Sequence, residues 1–252
     1  MNRKQVRIVA AFAIMGLVFG IVPTANAMHI MEGYLPPAYC VLWGAVCIPF
    51  LVAGYFSIRK KLKEYQRAIT IIAMSGAFIF VISSLKIPSV TGSCSHMTGT
   101  GLGAILLGPG AVSVLGLIVL VFQAILLAHG GLTSLGANCF SMAIAGPFIA
   151  YGIFLLCKRL KVNRRVAVFL AAMLGDLCTY CVTSIQLAIA HPAVNGGVMA
   201  SAAKFLGVFA PTQLPLAIME GLLTVVVIIG LETYAGRELK GIQFMQGGTE
   251  NE

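Results

Sequence analysis

Apolar residues run in long blocks near positions 36–57, 68–87, 101–128, 137–157, 166–190 and 212–233, divided by short polar or basic segments. A helix needs about 20 residues, at about 1.5 Å of rise each, to cross about 30 Å of hydrocarbon. Each block is therefore read as a membrane-crossing element. Basic clusters follow the first, fourth and last blocks: Arg59, Lys60, Lys61, Lys63 and Arg67; Lys158, Arg159, Lys161, Arg164 and Arg165; and Arg237 with Lys240. Lys and Arg accumulate on the cytoplasmic side of membrane proteins, so all three clusters belong on one face. That is possible only if the block at 101–128 crosses twice. Gly108-Pro109-Gly110 supplies the turn, between a short Gly-rich half at 98–107 and a full helix at 111–128. The pattern predicts an all-α integral membrane protein, a seven-transmembrane-helix bundle. Residues 196–210 are left as a short outer or re-entrant helix ending before Pro211.

Composition removes other classes. Of 252 residues, 59% are hydrophobic and 10% charged, too little polar surface to clothe a large soluble domain. The net charge of +9 resides mostly in the short clusters between apolar blocks, a topology signal and not a nucleic-acid face. Seven cysteines are an odd number, and Cys40, Cys47, Cys139, Cys157, Cys178 and Cys181 lie in apolar stretches, so no disulfide framework is implied. Cys178 and Cys181 have CxxC spacing but lack a second pair to complete a metal site.

Residues 1–27 have the parts of an export signal: Arg3, Lys4 and Arg7, an apolar run over 8–22, and Ala25-Asn26-Ala27. That run is short for a span, which favours cleavage over an uncleaved first helix. Cleavage leaves 28–252 as one membrane-embedded domain, with its N-terminus outside and its C-terminus cytoplasmic.

On this topology His29, His96, His129 and His191 all fall at the outer ends of spans or in outer loops. Cleavage before Met28 makes His29 the second residue. The free α-amine, the His29 backbone nitrogen and its imidazole can then chelate one cation in fused rings, three nitrogens from two residues. His96 is the best fourth donor because its loop faces the same side. A nitrogen-rich tetragonal set favours nickel, copper or cobalt over magnesium or calcium, which prefer oxygen. Glu32 and Cys94, close in sequence to these donors, are candidates to support or replace a ligand.

The blocks Met28-His29-Ile30-Met31-Glu32-Gly33-Tyr34-Leu35-Pro36 and Lys86-Ile87-Pro88-Ser89-Val90-Thr91-Gly92-Ser93-Cys94-Ser95-His96 resemble the CbiM/NikM family. Further matching blocks start at Thr98, Gln123 and Pro211, and the resemblance covers nearly the whole mature chain. It implies the substrate-specific membrane component of an energy-coupling-factor importer for Co(II) or Ni(II), in a bacterial or archaeal membrane, feeding cobalamin synthesis. The implied fold is an S-component-like core plus an added N-terminal helix. By this resemblance the transported ion falls to Met28, His29 and His96, with Glu32, Cys94, Ser95, Met97 and His129 as candidates around them. The family pattern has proline after the loop histidine, where this chain has Met97; a thioether ligand is the sharper reading there and apolar packing the plainer one.

The implied partners are a transmembrane coupling protein, cytoplasmic ATPases and a small accessory membrane subunit. The chain has no Gly-Lys-Ser/Thr phosphate loop, so ATP hydrolysis belongs to other subunits. No enzyme activity, resident cofactor or nucleic-acid partner is expected. A membrane metalloenzyme would need a general base near an open metal, and HExxH is absent; a stand-alone proton-coupled carrier is the other alternative. Asp176, Glu220 and Lys204 sit in or beside apolar helices and need partners there. An internal polar clamp is the adopted reading and a proton or ion relay the competing one.

If signal removal completes the chelate, inserting one residue between Met28 and His29 opens the fused rings. Isothermal titration of the purified variant with Co(II) is expected to show a sharp loss of affinity, whereas undiminished binding would reject the amine as a ligand.

Overall fold

In a computed structural model of the chain, the structure describes residues 29–88 and 94–242. The expected signal peptide and Met28 lie outside them. Helix α1 (Pro37–Glu64) starts with proline in its first turn, where the missing N–H costs nothing, and ends with Lys61 and Lys63 against the negative end of the helix dipole. Helix α2 (Ala68–Ser84) leads to a two-residue antiparallel ladder, β1 (Ile87–Pro88) with β2 (Cys94–Ser95), in which Ile87 faces Ser95. This small pair is a departure from an all-helical chain, and it closes the loop that delivers His96. Next come α3 (Thr100–Leu107), α4 (Pro109–Leu126), α5 (Leu135–Arg159), α6 (Arg164–Ala190), α7 (Gly197–Tyr234) and the short α8 (Gly236–Gly241).

Among the described residues α1, α4, α5, α6 and α7 are long and apolar enough to cross a membrane, and α2 is apolar over 17 residues. The break at Gly108 falls where the sequence places it. All eight residues of α3 are buried, which is how so short a helix is tolerated at membrane depth: protein, not lipid, surrounds its ends. Val41, Ile48 and Phe56 on α1, and Phe122, Ile125 and Leu126 on α4, point outward, the apolar exterior of a multi-pass membrane protein.

The expected break before Pro211 does not occur. α7 continues through both Pro211 and Pro215 for 38 residues. Each proline removes one ladder hydrogen bond, but side chains take over nearby carbonyls. The Thr212 hydroxyl donates to the Phe209 carbonyl at 3.1 Å, and the Tyr180 hydroxyl on α6 donates to that of Leu206. In an apolar surrounding such substitutions make a proline-containing helix viable.

Helix α5 is not regular. Residues Cys139–Ala145 form a π-helical segment inside it, a wide turn found most often at functional sites. It lies at the end of the bundle that carries the histidine loops. At the other end the basic clusters gather, with Arg164 paired to Glu232 at 3.1 Å and Gly241 against the Tyr65 ring.

Close backbone approach fixes how α1 meets α5. A Cβ at Gly136 would lie 2.5 Å from the Gly44 nitrogen and 2.6 Å from its Cα, whereas a Cβ at Gly44 would meet nothing within 4 Å. Gly136→Ala therefore forces the helices apart and is expected to cost about 1–3 kcal/mol, as overpacking does. Gly44→Ala should leave the thermal midpoint in detergent nearly unchanged; equal melting of the two variants would contradict this packing.

Candidate metal centre

His29 opens the described chain and is buried at the edge of the bundle. What holds it is its neighbour. The Ile30 N–H donates to Asn138 Oδ1 at 2.8 Å, and the Ile30 carbonyl accepts from Asn138 Nδ2 at 2.9 Å and from the Ser134 hydroxyl at 2.5 Å. Two residues on, the Glu32 carboxylate accepts from the backbone N–H of Leu132 at 2.5 Å and of Thr133 at 3.2 Å. Hydrogen bonds from the Thr133 side chain and backbone hold that exposed carboxyl below its ordinary pKa. The N-terminal segment is thus laced to the loop ahead of α5. That loop accepts it because Gly130 turns with φ +79° and Gly131 leaves a space in which a Cβ would sit 2.5 Å from Glu32 Cα.

Three imidazoles meet here. His29 Nδ1 is 2.7 Å from His96 Nε2 and 3.0 Å from His129 Nε2, and His29 Nε2 is 3.2 Å from Met142 Sδ. The His29 and His96 rings stack at 4.5 Å, while His129 stands edge-on to both. One ring nitrogen from each residue falls within 4.8 Å of the others. All three residues are buried.

Proton accounting makes this an electron-rich point. His96 Nδ1 lies 2.9 Å from the Met97 carbonyl, which can only accept, so the proton sits on Nδ1 and the Nε2 lone pair faces His29. His29 Nδ1 carries at most one proton and faces two ring nitrogens. His129 Nδ1 is buried without a hydrogen-bond partner. Protons alone leave this group under-satisfied, while a cation between the lone pairs would satisfy it. Two nitrogens each about 2.0 Å from one ion at a right angle stand about 2.8 Å apart, close to the separations observed.

Burial keeps the imidazoles neutral and ready to ligate. It holds His29 well below its ordinary pKa, with His129, His96 and Lys86 adding to the effect. Burial likewise lowers His96 to about 4, against the opposing Met97 hydrogen bond, and lowers His129 to about 2.

The structure treats the other sequence candidates unequally. Met28 falls outside the described residues, and the Cys94 backbone belongs to β2. Ser95 is buried, 2.7 Å from the Thr212 hydroxyl, and Met97 acts through its carbonyl oxygen. Glu32 ties two loops together away from the ring nitrogens. His129, expected beside the site, joins it directly. His191 stands apart on the Tyr34 carbonyl at 2.9 Å. Met142 and Asn138 were not singled out by the sequence, because the π segment that contains Met142 and follows Asn138 leaves no mark in an apolar block. Asp176 and Glu220 lie buried beneath the His96 loop, whereas Lys204 is exposed.

A family model for the cobalt uptake substrate-specific transmembrane region matches residues 29–237. A cobalt transport protein CbiM of Lachnoclostridium phytofermentans is 70% identical over 248 residues, covering 98% of this chain and 99% of that protein. A protein of the same name from Chlorobium limicola is 61% identical over 213 residues, 84% of each chain. A crystal structure of a transition metal transporter superimposes with a TM-score of 0.72 at 29% identity, covering 86% of this chain and 97% of that one. A truncated transition metal transporter gives 0.70 at 30% identity, covering 82% and 99%.

The neutral imidazoles set a pH dependence. In the unfolded chain each takes a proton near pH 6.5, but in the fold His96 does so only near 4. Below 6.5 the unfolded state therefore binds more protons, and stability falls as pH is lowered through this window. The thermal midpoint of metal-free protein is expected to drop between pH 6.5 and 4, and less so in a His96→Ala, His129→Ala double variant. A profile that is flat in the parent would contradict the assignment.

Proposed function

Because the chain belongs to the CbiM family of cobalt-uptake membrane components, we propose that it captures Co(II) at its outer face for an ATP-driven energy-coupling-factor importer. It is a transporter component and not an enzyme. The observation that carries the proposal is the convergence of three buried, neutral imidazoles on one point beside the N-terminal segment. The proposed donors are the Met28 amine, the backbone nitrogen and Nδ1 of His29, and Nε2 of His96. His129 Nε2, 3.0 Å from His29 Nδ1, adds a further nitrogen.

Ligand type selects against magnesium and calcium, which prefer oxygen. It does not by itself select cobalt over nickel, because nickel is generally held more tightly by the same ligands. The preference for cobalt in this proposal rests on the names of the relatives. The seven-crossing arrangement, with mature N-terminus outside and C-terminus cytoplasmic, belongs to the same reading. So does dependence on a transmembrane coupling protein, ATPases and a small accessory subunit. A ligand shifts an equilibrium only by its differential affinity for two states. Repeated uphill delivery from a tight site therefore requires an energy source that the chain's own ion site does not contain.

Metal titration and vesicle uptake test this together. His96→Ala and His129→Ala are each expected to weaken Co(II) binding, His96→Ala by the larger factor, while His191→Ala binds like the parent. In vesicles the chain alone should bind without concentrating the ion, and adding the coupling protein and ATPases should make accumulation ATP-dependent. Concentrative uptake by the chain alone on a proton gradient would overturn the coupled reading.

A further inference from the structure

Beneath the histidines lies a buried polar cluster whose groups face the backbone of the His96 loop. Glu220 on α7 accepts from the Thr98 N–H at 2.5 Å, the Thr98 hydroxyl at 2.9 Å and the Gly99 N–H at 3.0 Å. Gln213, seven residues earlier and on the same face of α7, donates through Nε2 to Asp176 Oδ2 at 2.5 Å and to the His96 carbonyl at 3.3 Å. The His96 carbonyl can only accept, and this fixes which end of the Gln213 amide points that way. Thr212 adds the hydroxyl contact to Ser95 at 2.7 Å. Residues 95–99 are therefore tied to α7 at three successive points.

The two closest histidines are anchored to different helices. His29 is held through Ile30 by Asn138 and Ser134 at the start of α5. His96 is held through its own backbone by α7, and its ring orientation follows that backbone because Nδ1 is bound to the Met97 carbonyl. A displacement of α7 relative to α5 would thus translate into the separation of His29 Nδ1 from His96 Nε2. Pro211 and Pro215, each removing a hydrogen bond from the helix ladder, flank Thr212 and Gln213, which touch the Ser95 hydroxyl and the His96 carbonyl. α7 runs from there to Tyr234, beside the basic end of the bundle.

We propose that Thr212, Gln213 and Glu220 are positioning residues for His96, with Asp176 fixing Gln213, so that α7 sets the affinity of the ion site. The inference rests on the reading that His29 and His96 hold the ion. It makes the buried acids part of a clamp on the metal loop, and it makes α7 the element whose position loads or empties the site.

The test uses the full chain in detergent, with Co(II) as the probe. Affinity is read by titration, coordination by the visible ligand-field bands of bound Co(II), and folding by circular dichroism and thermal melting. Glu220→Gln presents an amide N–H₂ to a site that already holds three donors, and Gln213→Leu frees the His96 carbonyl. Each is expected to weaken Co(II) binding by about tenfold or more, the range for residues that orient ligands, and to shift the bands. Thr183→Val, a buried change on α6 at a hydroxyl bonded within its own helix, should do neither. If Glu220→Gln does not fold, Ser95→Ala removes only the Thr212 contact and is expected to weaken binding and shift the bands in the same sense. Parent-like affinity and bands in the folded variants, while His96→Ala abolishes binding, would overturn the clamp and leave the metal site standing. Parent-like binding by His96→Ala would overturn both.

Discussion

The side chain of Asn138 reads both backbone groups of Ile30, and the candidate metal centre depends on that exchange. Residues 29–36 lie outside helix and strand and have no ladder of their own to satisfy their N–H and C=O groups, and where Ile30 is buried little water substitutes. Asn138 supplies one acceptor and one donor at 2.8 and 2.9 Å, and Ser134 supplies a second donor. Each such bond contributes about 1 kcal/mol net, but leaving a buried group unmet costs about 1–3 kcal/mol. The penalty for undocking thus exceeds the gain from any one contact. With Ile30 fixed, His29 has little choice but to enter the space between His96, His129 and Met142.

Beside that space α5 is wound more loosely over Cys139–Ala145. Asn138 precedes that segment and Met142 lies within it, and a spacing of four residues puts both on one side of the helix, toward Ile30 and His29. A π segment is less favourable locally than an α-helix and is found most often where function requires it. Here it serves a definite geometry: an amide aimed at the Ile30 backbone and, four residues on, a thioether against the His29 ring.

Most of the membrane architecture was legible because it follows from length and hydropathy. The division of 98–128 into two helices could be read from parity and from Gly108-Pro109-Gly110, and the helices end within about two residues of those expectations. α7 was misread for a reason of the same kind. Proline is a dependable helix breaker when the surrounding carbonyls face water, and in α7 the neighbouring carbonyls of Phe209 and Leu206 are met by Thr212 and, across from α6, by Tyr180. At the site, His29 and His96 were visible through chemistry and spacing. His129 was read as a neighbour of the site, and the turn at Gly130 and Gly131 brings its Nε2 to 3.0 Å from His29 Nδ1. Met142 and Gln213 carry no local signal at all, each acquiring its role from a residue 113 or 117 positions away, whereas Glu220 was marked by its charge within an apolar block.

A site assembled from separate segments can reconcile tight capture with release. If all donors lay on one short stretch, the ion would leave only by unfolding it. Divided between an N-terminal segment held by α5 and a loop held by α7, the donors can remain locally well ordered while their mutual distance changes. Moving a two-state equilibrium from about 1:99 to 99:1 requires about 5.5 kcal/mol of differential stabilisation, well within what a few charge-assisted hydrogen bonds and two coordinate bonds can redistribute. A displacement of about 1 Å suffices to spoil a ligand geometry whose tolerance is about half of that. On this reading the functional variable is the relative position of two helices, and the prolines of α7 lie where that position is felt by His96.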